Sequence, residues 1–458
     1  MNIEEILEDW EVHHAIREVI ANAIDEQLLT KTKEIEIFKD PKGNWHIRDY
    51  GRGLNYEHLT QKEDQEKLTN PNVIGKFGIG LKDAFATFDR KGIKVFVKSK
   101  HGDMTLSRSQ KHYFEDIITL HVCISAPSNP DLAGTEFIFD GVKNKDIEKA
   151  KDLFLRFSGE NVIETTRYGD VLQKKEETAR IYVNGVKVAG EEDFLLSYNI
   201  TSLTSAIRKA LNRERSNVGR SAYSDRVKAI LLSCEGKEVA ECLVKDLKEY
   251  SSGKMHDELK WIDVQEHAVK ILNARERVVF FTTEELIHEK DMVDEAEQSG
   301  YRIVTIPENL KQRIHGLKDI SGDPIRDMGQ FYAEYNESFE FKFVNPSDLT
   351  PLERKHFEMT NEILDLMGGK PKKIKEIKIS ETMRKELGSF IEPNGIWQAS
   401  AGRIIIKRNQ LKSIKDYAGT LLHEVAHSIS GTSDVTREFE NQLTRLLGII
   451  CSKVLNSS

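Results

Sequence analysis

Apolar residues recur at helical spacing between residues 10 and 30, where Val12, Ile16, Val19, Ile20, Ala23, Ile24 and Leu28 mark one face. The pattern then shortens to strand-like segments. IEIFKD and NWHIRDY read as two strands joined at Pro41-Lys42-Gly43, a hairpin signal. A glycine-rich loop, NPNVIGKFGIGLKDAFATF, runs into another helix, and KVFVKSK, DMTLSR, IITLHVCIS and GTEFIFDGV follow as strands. Helices on one face of a sheet make an α+β sandwich the expected architecture of residues 1–145.

Near residue 146 the pattern resets. KDIEKAKDLFLRFS reads as a linking helix, and ARIYVNGVKVAG as a hairpin turning at Asn184-Gly185. SLTSAIRKALNRERS and DRVKAILLSCEG supply helices, so a second α+β domain is expected over 146–255. RVVFFTT, EELIHEKDMVDEAEQSG and YRIVTIP read as strand, helix and strand, a small βαβ element within 256–325. The remainder, 326–458, reads as mostly helical and ends in two helices around 414–455.

A chain of 458 residues exceeds one ordinary core, in keeping with several domains. The net charge of −8 argues against a general polyanion binder but leaves a local basic face open. Four cysteines, Cys123, Cys234, Cys242 and Cys451, lie far apart and read as reduced thiols. The acidic start MNIEEILEDW is unlike a secretory signal, and no apolar run reaches membrane length. A cytoplasmic protein with no membrane partner is expected.

Three separated motifs carry candidate chemistry. In REVIANAIDEQ, Glu18, Asn22 and Asp25 fall on one strip of the first helix. An Asn oxygen is a hard ligand suited to Mg²⁺, and a nearby carboxylate can deprotonate an attacking water. In DYGRG, Asp49 can accept a hydrogen bond from an amino group such as that of adenine, with Gly51 and Gly53 letting backbone lie close. In GKFGIGLK, the glycines let amides wrap a polyphosphate ahead of a helix N-terminus, and Lys82 or Lys76 can add charge. Singly, these motifs are a solvated helix edge, a turn and a flexible loop. Their order and their strand and helix contexts point jointly to a nucleotide site.

With these residues in place the sequence resembles the GHKL ATPase superfamily of gyrase B, heat-shock chaperones, histidine kinases, MutL and MORC proteins, over about 1–145. ExxxNxxD is met by Glu18, Asn22 and Asp25, DxGxG by Asp49, Gly51 and Gly53, and the lid GxxGxG by Gly75, Gly78 and Gly80. The lid wording is closest to the chaperone and MORC branches, and Gly134-Thr135 matches the family's later Gly-Thr. The resemblance implies ATP and Mg²⁺ as cofactors, Glu18 as general base, Asn22 as Mg²⁺ ligand, Asp49 as adenine reader and Thr135 as its support. It also implies hydrolysis rather than phosphotransfer, and an ATP-bound homodimer. The segment after it looks like a transducer domain, which would place Lys209 or Lys228 on the γ-phosphate.

A second site is written in GTLLHEVAHSISG. His423 and His427 project from one helix face with Glu424 beside them, an arrangement suited to Zn²⁺ and a water that Glu424 deprotonates. The pattern resembles the HExxH zincin peptidases. A pair of hydrogen-bonded core histidines is the ordinary alternative. For a third ligand, turning DVTREFENQLTRLLGII by about 100° per residue gives an inner face of Val435, Phe439, Leu443, Leu446 and Ile450. Glu440 falls at its edge and is preferred; Asp434 is the second choice, its other role being a helix N-cap. Ser430 and Ser433 stand where the metzincin extension has glycine and histidine.

The basic stretch Lys370–Lys378 reads as an exposed loop, and Arg208, Lys209, Arg213, Arg215 and Arg220 as a solvated face. The expected function is an ATPase whose nucleotide state controls a zinc peptidase-like site acting on a protein substrate. The alternatives are a chaperone-like or nucleic-acid-remodelling ATPase with a structural zincin module, and a non-catalytic nucleotide switch.

Overall fold

The computed structural model describes residues 2–3, 9–60, 73–74, 80–111, 114–211, 218–247, 255–384 and 392–456. It divides into two compact units, Met1–Arg275 with Asp319–Ser321 and Glu276–Lys318 with Gly322–Ser458. Each mixes helix and sheet, so the chain is of the α+β class. The expected segments 1–145 and 146–255 lie in the first unit and 326–458 in the second, whereas the expected 256–325 element is divided between the two.

The first unit opens with a seven-stranded antiparallel sheet. Its spatial order is Asn2–Ile3, Phe114–Ser125, Asp103–Lys111, Lys94–Ser99, Thr135–Asp140, Trp45–Arg48 and Glu36–Lys39. Strand alternation decides its buried face: Val95, Val97, Phe137, Phe139 and Ile47 turn inward against the helices. The helix Val12–Thr30 brings Ile16, Val19, Ile20 and Ala23 to that core. Burial of a side chain such as Ile16 or Ile20 stabilises by roughly 1.5–3 kcal/mol. Leu28, expected on the same face, is 43% exposed because the helix outruns the sheet core.

A second sheet in this unit has the order Val186–Glu191, Ala179–Val183, Ser197–Ile200, Gly169–Leu172 and Val162–Thr166. Asn184 and Gly185 both take positive φ, 48° and 77°, which a tight two-residue hairpin requires. The strands at Val162–Thr166, Gly169–Leu172 and Ser197–Ile200 were not evident from the sequence; they are four or five residues long.

In the second unit Val278–Phe281 and Arg302–Thr305 pair in parallel, joined by the helices Thr283–His288 and Lys290–Gln298. The last part is less purely helical than expected. Glu376–Ser380 pairs in parallel with Arg403–Lys407, which pairs antiparallel with Gly395–Gln398. The basic stretch therefore ends in a strand, because Ile377 and Ile379 alternate with polar residues and meet Ile404 and Ile406. Against this sheet packs the helix Ile414–Ser430 through Tyr417, Leu421 and Val425, and the helix Arg437–Asn456 adds Phe439 and Leu446. Among the described residues no helix is long and apolar enough to cross a membrane.

Candidate functional sites

One helix, Val12–Thr30, reaches three of the sequence motifs. Glu18 is buried, and its Oε1 accepts from Arg17 Nε at 3.1 Å and Nη2 at 2.9 Å. Arg17 is itself buried, with its guanidinium 5.3 Å from the Trp10 ring centroid. One turn on, Asn22 Nδ2 donates to the Glu18 carbonyl at 2.9 Å, which turns Oδ1 away from the helix backbone. Asp25 is fully buried and its Oδ1 accepts from Ile74 N at 2.6 Å. It anchors the chain at the entrance to the glycine loop.

Asp49 sits where Trp45–Arg48 ends, and Oδ1 accepts from Gly51 N at 2.9 Å and Thr135 N at 3.3 Å. The Asp49 amide donates to Thr135 O at 3.0 Å, and Thr135 Oγ1 accepts from Leu54 N at 2.9 Å. These bonds clamp both ends of the DYGRG turn to the strand Thr135–Asp140. Burial pushes the Asp49 carboxyl above its ordinary range and the negative Glu26 adds to this, while the Gly51 and Thr135 donors oppose it. Gly134 makes the approach possible: it has φ +81°, and a β-carbon there would stand 2.0 Å from Asp49 O.

The sequence reading missed Glu26 and Arg52. Arg52 Nε and Nη2 each donate to Glu26 at 2.9 Å, and Arg52 N donates to Glu26 Oε1 at 2.7 Å. This forked pair ties the DYGRG turn to the first helix. Glu26 lies one turn beyond Asn22, and that spacing was the available signal.

Gly75 and Gly78 of the expected lid, with Lys76, lie outside the described residues, as do Arg213 and Arg215. Gly80 begins the helix Gly80–Arg90 against Glu18, and half-buried Lys82 stands in its first turn. Of the two transducer lysines, Lys228 pairs with Asp263 at 2.7 Å, whereas Lys209 is exposed on the helix Ser205–Ala210. Arg220, read as part of a solvated face, pairs with Asp257 and lies 4.5 Å from the Phe194 ring centroid.

In the second unit His423 and His427 meet on one face of the helix Ile414–Ser430, with Nε2 atoms 3.2 Å apart. The third member is Asp434, whose Oδ1 lies 3.1 Å from His423 Nε2 and 3.2 Å from His427 Nε2. Donors about 2.0 Å from a tetrahedral ion lie about 3.3 Å apart, so this near-equilateral triangle fits one Zn²⁺. His427 Nδ1 donates to Thr432 O at 2.8 Å, the partnership that leaves Nε2 its lone pair for a metal. The Phe439 ring stacks on His427 with centroids 4.2 Å apart. Glu424 is buried beside Gly395 of the strand Gly395–Gln398.

Glu440, the preferred third ligand, is exposed and outside this cluster. Phe439 and Leu446 set the inward face of the last helix, and one residue's rotation carries Glu440 to solvent. Val435, placed inward by the same reasoning, is 92% exposed, since it precedes the helix. Asp434 is no N-cap either; Thr436 Oγ1 takes that place, accepting from Phe439 N at 3.3 Å.

Residues 145–237, which hold the five-stranded sheet, match the family described as the Mycoplasma pneumoniae MPN635 N-terminal domain. A solved topoisomerase IV ATP-binding domain of Francisella tularensis, in complex with a small-molecule inhibitor, aligns at 16% identity with a TM-score of 0.26. It covers 57% of this chain and 92% of that one. One uncharacterized protein of Mycoplasma pneumoniae is 25% identical over 338 residues, 68% of this chain and 93% of the relative. Another is 37% identical over 243 residues, 52% of this chain and 97% of the relative. By that identity and coverage, the chain belongs to the same family as this uncharacterized Mycoplasma pneumoniae protein.

Proposed function

We propose that the first unit binds Mg²⁺-ATP and hydrolyses it as a GHKL-type ATPase. The supporting observation is the convergence of the motifs on one helix: Glu18 against Gly80, Asp25 on Ile74, and Glu26 on Arg52 of the DYGRG turn. In this reading Asp49 accepts from the adenine amino group, and Thr135 holds the turn that presents it. Asn22 Oδ1 is the Mg²⁺ ligand, and the cation neutralises phosphate charge when bound. Glu18 takes the proton of the attacking water, with Arg17 fixing its rotamer. The start of the helix Gly80–Arg90 and Lys82 serve the phosphates. ATP-gated pairing of two chains rests on the resemblance of residues 1–145 to the GHKL domains. Nucleotide binding and phosphate release, measured with Mg²⁺ on wild type, Glu18→Gln and Asp49→Asn, test the assignment. No affinity for ATP in the folded wild type overturns it.

For the second unit the reading is zinc-dependent peptide hydrolysis under control of the nucleotide state, supported by the His423–His427–Asp434 triangle. Zinc bound there would supply Lewis-acid activation of water and of a peptide carbonyl. Glu424 then moves the proton from water to the leaving amine. Elemental analysis with a cleavage assay of Glu424→Gln tests it; metal-free wild type after growth in zinc overturns it.

A further inference from the structure

Three non-glycine residues among those described take positive φ: Lys31 at 54°, Asn184 at 48° and Val435 at 62°. The first closes a helix and the second sits in a hairpin turn beside Gly185, both common uses of this conformation. Val435 has neither excuse. A β-branched residue is strongly disfavoured there, and at 92% exposure no packing offsets the strain.

The strained residue directly follows Asp434, and the turn is pinned on both sides of the pair. Gly431 N donates to His427 O at 2.9 Å to end the first helix, and Thr432 O accepts a hydrogen bond from His427 Nδ1 at 2.8 Å. On the far side Thr436 Oγ1 reaches Thr432 Oγ1 at 3.0 Å and Ser433 O at 2.9 Å while it caps the last helix. The deviation is thus concentrated at the one joint that aims the carboxylate at both histidines.

We propose that Val435 is a positioning residue, a strained joint that occupation of the His423–His427–Asp434 site by a divalent cation holds in the left-handed conformation. The proposal rests on the metal-site reading above. Without the cation the joint relaxes to the extended or right-handed backbone that valine prefers, and Asp434 leaves the pair. The chain thereby binds metal less tightly than its ligand set permits, which makes the cation exchangeable and couples its loading to the order of the 431–436 turn.

The test uses the full chain and Zn²⁺ or Co²⁺ alone, with affinity read by chelator competition and thermal unfolding followed with and without metal. Val435→Asn and Val435→Gly, which accept the left-handed region, tighten binding by roughly 5- to 30-fold, the ratio set by the left-handed penalty. The midpoint of the metal-free protein stays where it was. In Asp434→Ala the affinity drops, and adding Val435→Asn to it changes nothing further. The proposal is overturned if Val435→Asn raises the metal-free midpoint while affinity stays the same, for the strain then belongs to the fold whatever the site holds. A wild type that binds neither ion removes the metal reading itself and this proposal with it.

Discussion

Gly80 lies against the carboxylate of Glu18: a β-carbon at residue 80 would stand 2.1 Å from Oε2, well inside contact distance. The start of the helix Gly80–Arg90 is thereby seated on the first helix at the residue read as general base. Gly80→Ala should push Glu18 off its Arg17 partner and lower ATP turnover by roughly 10- to 100-fold, since a displaced base loses much of its contribution. Nucleotide affinity should fall by less than turnover does. Steady-state turnover beside equilibrium binding separates the two, and full turnover in the variant would show that the contact is idle.

Glu18→Gln keeps the shape and removes the proton acceptor. Turnover should fall by roughly 10²–10⁴-fold with ATP affinity nearly unchanged. Persistence of hydrolysis would hand the base to another residue.

Arg17 and Glu18 form a buried ion pair, with side chains 4% and 8% exposed. Removing one partner of such a pair strands the other charge and costs about 3–5 kcal/mol. Arg17→Ala should lower the thermal midpoint more than Arg17→Lys, and should lower turnover as Glu18 loses the partner that fixes its position. Unchanged turnover in the folded variant would show that the pair does not hold the base.

Asp49 carries a pH signature. Its pKa is raised by burial and then by Glu26, so the folded state holds this proton more firmly than the unfolded chain does. Its contribution to stability is favourable at acid pH and is lost as pH rises through the folded pKa. Nucleotide binding runs the other way, because the ionised carboxylate is the stronger acceptor for an amino group. Affinity should fall on acidification at a pH above the ordinary aspartate range. Asp49→Asn should be weak and flat over that range, and binding titrations against pH read both curves.

Zinc content should vanish in His423→Ala and fall sharply in Asp434→Ala, while Glu440→Ala keeps it. A cation at 100 times its dissociation constant stabilises by about 2.7 kcal/mol. Chelation should therefore lower the unfolding midpoint of the wild type and leave that of His423→Ala in place. Loss of zinc in Glu440→Ala would restore that residue as a ligand.

Periodicity and motif spacing carried the sequence reading a long way. The helix Val12–Thr30, the hairpin at Asp40–Asn44, the turn at Asn184-Gly185 and the parallel pair at Val278–Phe281 are all local, and their residues announce them. So are Glu18, Asn22, His423 and His427, because helical spacing alone puts each set on one face. Strands of four or five residues such as Gly169–Leu172 and Gly395–Gln398 carry too few side chains for a period to show.

What only the tertiary structure decided is where helices stop and which distant groups then meet. Glu26 finds Arg52, and Gly134 admits Asp49, across separations along the chain that no periodicity spans. Helical rotation favoured Glu440 by continuing a regular helix back through Val435. The chain instead breaks at Gly431, bends at Val435 and restarts at Arg437, so Asp434 swings under the histidines. A side chain's direction follows from local dihedrals within a helix; between helices it depends on how the two ends are held, and that is a property of the packed fold.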